Sequence, residues 1–149
     1  MNHLPSPGST RYFLSARAIQ RCPRFPHKRF RMNLQVQQLD DGIILLVLEG
    51  ELTRHTVHIP ADWLLTNCQP DTRYIIDLNN VSYVSSMGLR MLLMFFRRLE
   101  AISSRLIFFS LNEGIWDTMS ITGFLDFLEL YESQEEAIAA ARVSPENRF

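Results

Sequence analysis

Two adjacent serines, Ser85 and Ser86, are the residues of this chain best placed to do chemistry, because they stand where an apolar run gives way to a helical pattern. The run Tyr74-Ile75-Ile76-Asp77-Leu78 reads as a strand, Asn79 to Val84 as a short polar turn, and Ser85-Ser86-Met87-Gly88-Leu89-Arg90 as the opening of a helix. A serine there faces solvent beside backbone N–H groups that have no intrahelical partner. A phosphate attached to it meets those donors and the positive end of the helix dipole. Capping is the plainer role, since serine is among the preferred N-cap residues. Both roles are compatible if one hydroxyl caps while its neighbour is exposed.

The remaining reactive residues are less well assembled. His55 and His58 are spaced to share a helical face, which suits metal ligation, but no cysteine or carboxylate signature accompanies them. They are read as surface or capping residues, and no metal site is assigned. Asp77 ends a strand beside the serine turn and could be taken for a catalytic acid. No histidine is locally linked to Ser86, however, and the pattern Gly-x-Ser-x-Gly is missing. Neither Gly-x-x-x-x-Gly-Lys nor Gly-x-Gly-x-x-Gly occurs, so nucleotide binding has no support. The expectation is a noncatalytic chain without a cofactor, in which Trp63 and Trp116 are packing residues.

The elements that must position the serines follow from periodicity. Residues 33–39 and 43–49 read as a hairpin about Asp40-Asp41-Gly42, the Asp-Gly pair supplying the positive φ of a tight turn. Ile43 to Leu48 is apolar throughout, as expected of a strand covered on both faces. A weaker helix spans about 55–67 and starts as late as Pro60 if the proline excludes an earlier turn. After the strand 74–78 come a helix over 86–101, a strand over 105–111 and a short helix over 112–122 stopped by Gly123. A last short strand is expected over 125–130. Ser133 and Glu136 then have the spacing of a capping box at the start of a final helix. Strands alternating with helices after a hairpin predict an α/β fold, a mixed, mainly parallel sheet packed by about four helices.

On the helix that follows the serines, a period of 3.6 places Leu89, Leu92, Leu93, Phe96 and Leu99 on the arc that packs on the sheet. The opposite arc holds Met87, Met91, Met94 and Arg98, with Arg90 and Arg97 at its edge. A solvent face is ordinarily filled with Glu, Lys or Gln; methionines there mark an adaptable contact surface or a face covered by a neighbouring helix or a second copy.

Composition bounds the rest. At 149 residues and 46% hydrophobic content the chain buries one core, and a second domain is not expected. The net charge of −1 conceals an asymmetry: residues 1–39 have no acid and hold six arginines and one lysine, whereas from Asp40 onward there are 16 acids against 8 arginines, leaving −8. The acidic part is a poor candidate for binding nucleic-acid phosphates. The leader, residues 1–31, carries Pro5, Pro7, Pro23 and Pro26 without periodicity and is expected to be a disordered basic extension. Met32 directly precedes the first strand, so one reading makes it the true start and the leader a product of upstream translation; the other keeps a functional basic tail. With only Cys22 and Cys68, no disulfide framework is indicated, which fits a reducing cytoplasm. No apolar run reaches the roughly 18 residues needed to span a bilayer.

In its ordered motifs the chain resembles the STAS domains of bacterial anti-sigma factor antagonists. Their signature is a strand ending in Asp-Leu, a turn, Asp-Ser-Ser-Gly-Leu or Ser-Ser-Ala-Gly-Leu-Arg, and an amphipathic helix; here it reads Val84-Ser85-Ser86-Met87-Gly88-Leu89-Arg90. Gly50-Glu51-Leu52 and Ile121-Thr122-Gly123-Phe124 extend the likeness over about residues 32–143, leaving 144–149 as a tail. The resemblance implies partner switching: Ser86, with Ser85 as second choice, is phosphorylated by an anti-sigma serine kinase of the histidine-kinase-like ATPase fold and restored by a serine phosphatase. Ser85, Met87, Gly88, Arg90, Met91 and Met94 form the implied docking surface of a cytoplasmic monomer. A second implied reading is an accessory subunit of an ABC-type phospholipid transport ATPase, which would hold the same surface constitutively.

Overall fold

The computed structural model describes residues 19–21, 32–39 and 42–143. Six strands form one sheet in chain order: β1 (Ile19–Arg21), β2 (Met32–Gln38), β3 (Ile43–Leu52), β4 (Arg73–Val84), β5 (Arg105–Phe109) and β6 (Glu129–Tyr131). The first two pairings are antiparallel and the remaining three parallel, so the sheet is mixed and mainly parallel. Between the parallel strands lie α1 (His58–Asn67), α2 (Ser86–Ala101) and α3 (Glu113–Ile121), and α4 (Gln134–Arg142) closes the fold. Successive crossovers of one hand, with strands added in one direction, put α1, α2 and α3 on the same face.

Burial follows that arrangement. β2 turns Met32, Leu34 and Val36 inward, and β3 sends Ile44, Leu46 and Leu48 to the same core, where Trp63, Leu92, Phe95, Leu99, Ile115 and Met119 meet them. The other face of the sheet buries Ile43, Leu45, Ile75, Ile107 and Phe109 beneath Ala137 and Ala141 of α4. The continuous apolar run of β3 is therefore required, because it is covered on both sides. Arg105 fastens the later elements together. Its guanidinium pairs with Glu129 of β6 and donates to the carbonyls of Ala140 and Val143 at the end of α4, at 2.7 and 2.9 Å.

Several local expectations change. The hairpin closes through Leu39 N–H donating to the Ile43 carbonyl at 2.8 Å, with Gly42 at φ +70°; Asp40 and Asp41 lie outside the described residues. The polar turn expected at 79–84 is strand. β4 continues to Val84 through two register shifts against β3, and Asn79 and Asn80, both exposed, mark the irregularity. Asn79 N–H, displaced from the regular ladder there, donates to Asp77 Oδ1 at 2.9 Å. α1 begins at His58 and carries Pro60 in its first turn, where a missing N–H breaks no intrahelical bond. The strand expected over 125–130 is instead a short 3-10 helix, Phe124–Asp126, followed by β6. Gly123, at φ +72°, ends the preceding helical segment as its position predicts. Of the leader expected to lie outside the fold, Ile19–Arg21 pairs with β2 at the sheet edge. The rest of it and residues 144–149 lie outside the described residues.

Candidate functional site

The serine turn is held where β3 and β4 end side by side. Ser85 is extended, φ −83° and ψ 173°, and its Oγ accepts a hydrogen bond from Gly88 N–H at 3.2 Å, so Ser85 is the N-cap of α2. Its own N–H donates to the Leu52 carbonyl at 2.8 Å. The Gly50-Glu51-Leu52 segment thus meets the serine turn through a backbone bond. Ser86, the first residue of the helix, is exposed and takes no part in the cap. Capping and exposure fall on neighbouring hydroxyls.

Gly88 is buried, and its place is set by packing. A Cβ there would lie 2.7 Å from the Leu52 carbonyl oxygen and 3.0 Å from side-chain carbons of Leu52 and Val84. Absence of a side chain lets α2 approach the end of β3 this closely, and so Gly88 helps to position the serine turn. The adjoining loop is tied by Thr56, itself buried, whose hydroxyl donates to the Glu51 carbonyl and accepts from Thr53 N–H at 2.9 Å.

Beyond the serines a groove of about 430 Å³ runs between α1 and α2. Val57, just ahead of α1, and Ala61, Leu64 and Leu65 within it form one wall; α2 contributes Met87, Arg90, Met91, Met94, Phe95 and Arg98. Met87 and Met94 are 45% and 61% exposed, and Leu65 is 54% exposed. Met91 departs from the expected partition of the helix: only 9% of it is exposed. Phe95 is also buried and meets Tyr74 edge-on, ring centroids 6.1 Å apart. Leu93 and Phe96, expected in the core, are only partly buried. α2 lies in the corner between the sheet and α1, which rotates its buried arc toward Met91 and Phe95. The contribution of α1 is absent from the sequence reading. Its one signal is the adjacent pair Leu64-Leu65, whose side chains sit about 100° apart on a helix and cannot both reach the sheet.

The other expected residues are dispersed. Asp77 pairs across with Val47 and Phe109, on the α4 side of the sheet and away from α2, so it cannot serve Ser86. Burial pushes its carboxyl above the usual range, partly offset by the bond from Asn79 N–H. His55 accepts from Arg54 Nε at 3.2 Å, and His58 opens α1. Among the described residues no group of three or more His, Cys, Asp or Glu could hold a metal ion. Cys68 sits at the end of α1, its thiol pushed up by burial and drawn down by Arg98. Burial pushes the Tyr74 phenol up to about 12, partly offset by the hydrogen bond it accepts from Gln69 N–H. Trp63 packs in the core, whereas Trp116, expected to pack, is 48% exposed on α3. No described helix is long and apolar enough to cross a membrane.

Against known proteins, the STAS domain family model matches residues 33–137. Bordetella bronchiseptica BtrV, provisionally named an anti-sigma factor antagonist, is 25% identical over 114 residues, 76% of this chain and 97% of its own length. An anti-sigma factor antagonist from Mycobacterium paratuberculosis shares the fold at TM-score 0.66 and 20% identity, over 75% of this chain and 95% of that one. The phosphorylated form of the Bacillus cell fate determinant SpoIIAA does so at TM-score 0.57 and 22% identity, over 73% and 99%.

Proposed function

This chain belongs to the STAS domain family, and on that premise we propose that it is a noncatalytic anti-sigma factor antagonist that acts by partner switching in the cytoplasm. With Ser86 unmodified, the serine turn and the adjoining α1/α2 groove dock on an anti-sigma serine kinase of the histidine-kinase-like ATPase fold. Phosphorylation at Ser86 releases the kinase, and a serine phosphatase restores binding. The observation that carries this reading is the division of labour at the start of α2, where Ser85 caps and Ser86 stands exposed. A phosphate on Ser86 adds about −1.5 to −2 charge at pH 7 at a helix N-terminus that tolerates it. The fold survives while docking is opposed by repulsion and desolvation. The names of the relatives support the antagonist role, and the chain itself acts as a monomer between partners.

Mass spectrometry of the protein from its native host, with a phosphatase-treated control, tests the switch. A phosphate on Ser86 that phosphatase removes is the expected result. An unmodified serine across growth conditions, or a Ser86→Asp variant that binds the kinase as tightly as the native protein, would overturn it.

A further inference from the structure

The α1/α2 groove carries information about what it binds. From Met87 to Arg98 it follows α2 for about 16 Å, or three turns. The backbone groups of its walls are spent within α1 and α2, so an extended segment laid there would bury unmatched N–H and C=O groups. A helix brings its backbone bonds with it and needs to offer only an apolar stripe to Leu65, Met87 and Met94. The concave shape also favours a helix over a lipid surface, which requires a projecting apolar face.

Charge narrows the occupant further. The part of the chain from Asp40 on carries −8, yet α2 holds Arg90, Arg97 and Arg98 with Glu100 as its single acid. Neither Glu100 nor Asp62 of α1 lines the groove, whereas Arg90 and Arg98 do. Among the described residues neither Arg90 nor Arg98 is paired with a carboxylate, although Arg98 also reaches the Cys68 thiol at the end of α1. Arg90 is also exposed and stands four residues after Ser86 on the same helix. Side chains so spaced are neighbours, their Cβ atoms about 5–6 Å apart. A guanidinium forms charge-assisted bonds to carboxylate and phosphate alike.

We propose that the groove takes an acidic amphipathic helix of the partner, and that a Ser86 phosphate and a carboxylate of that helix compete for Arg90. Phosphorylation then acts by withdrawing the groove's cationic rim as well as by adding charge. This rests on the partner-switching reading for its biological setting, and its test does not.

The probe is a labelled synthetic helix of about 15 residues, near the length of α2, with leucines on one stripe and glutamates elsewhere. Its counterparts are a lysine version and a scrambled version. Binding to the full chain is followed by anisotropy, with phosphoserine installed at position 86 during translation so that no kinase is needed. The glutamate helix binds; the lysine and scrambled helices do not. Arg90→Ala weakens binding about tenfold, the scale of one charge-assisted bond, and Met94→Asp abolishes it. Phosphoserine weakens binding by more than tenfold in the native background and by a clearly smaller factor in Arg90→Ala, where only its added charge remains to act, the non-additivity expected when two changes remove one shared interaction. The proposal is overturned if the glutamate helix does not bind, if the lysine helix binds as well, or if phosphoserine acts equally in both backgrounds. Tight binding of the groove to vesicles of anionic phospholipid, lost in Met94→Asp, or self-association through it would equally overturn it. Absence of Ser86 phosphate in the native host would sink the partner-switching reading and leave these binding results standing.

Discussion

At the scale of single residues, neighbouring groups of one type have different work because of their partners. The Ser85 hydroxyl satisfies Gly88 N–H, one of the donors left open at the start of α2. Ser85→Ala should therefore cost about 1 kcal/mol in urea unfolding, while Ser86→Ala stays within about 0.5 kcal/mol. Equal costs would mean that the cap is shared. Asp77 behaves differently again, because burial raises its folded pKa above the unfolded value. The protonated carboxyl is favoured in the native state, so stability falls as pH rises from the ordinary Asp value, about 4, through the folded pKa. Asp77→Asn keeps an oxygen acceptor for Asn79 N–H and removes the charge. Its thermal midpoint should exceed that of the native protein at pH 7, with the advantage gone near pH 3. An advantage that grew on acidification would refute this assignment. Both serines and Asp77 were legible as chemically capable residues; their divided roles depend on which backbone groups lie within reach.

At the scale of elements, the approach of α2 to the end of β3 decides the shape of the site. Gly88 has ordinary helical geometry, and alanine is the better helix former by about 1 kcal/mol. Packing opposes that preference, because the added Cβ would meet a backbone oxygen at 2.7 Å. Overpacking of this kind costs roughly 1–3 kcal/mol. Gly88→Ala should therefore lower stability overall and disturb amide exchange at Leu52 and Ser85, while a stabilised variant would show that α2 can shift without cost. The same close packing explains why a helical wheel drawn for α2 alone places Met91 on the open face, whereas the fold buries it. Such a wheel assumes one buried surface, and the helix packs against two. β4 and the segment after α3 depart from their local patterns for a related reason. Asn79 and Asn80 are polar turn formers by composition, yet β4 runs on through them: Asn79 stands out of register at the irregularity and Asn80 pairs with Glu49 of β3. The run from Leu125 looks strand-forming, but its start follows Gly123 and Phe124 into a tight helical turn that seats Phe124 in the core, and strand resumes only at Glu129.

At the scale of the whole molecule, the two cores are built from residues 32–143 on both faces of the sheet. A chain of residues 32–149 should unfold in one cooperative transition, since truncation removes only β1 from the described sheet. Loss of cooperativity would make residues 1–31 part of the folding unit. The sequence by itself determined the alternation of strands and helices, the doubly covered β3, the stop at Gly123, the cap at Ser133 and the placing of two serines ahead of an amphipathic helix. Each of these rests on local spacing, turn chemistry or periodicity, which short segments carry intact. Tertiary structure alone decided that Ser85 caps while Ser86 is exposed, that Gly88 is required by Leu52, that Asp77 faces away from the serines, and that α1 joins α2 to form a groove. These features depend on how separate elements meet, as where Ser85 N–H reaches the Leu52 carbonyl and Gly88 packs on Leu52, and there orientation and closeness of approach are set by the packing of both elements on a common sheet.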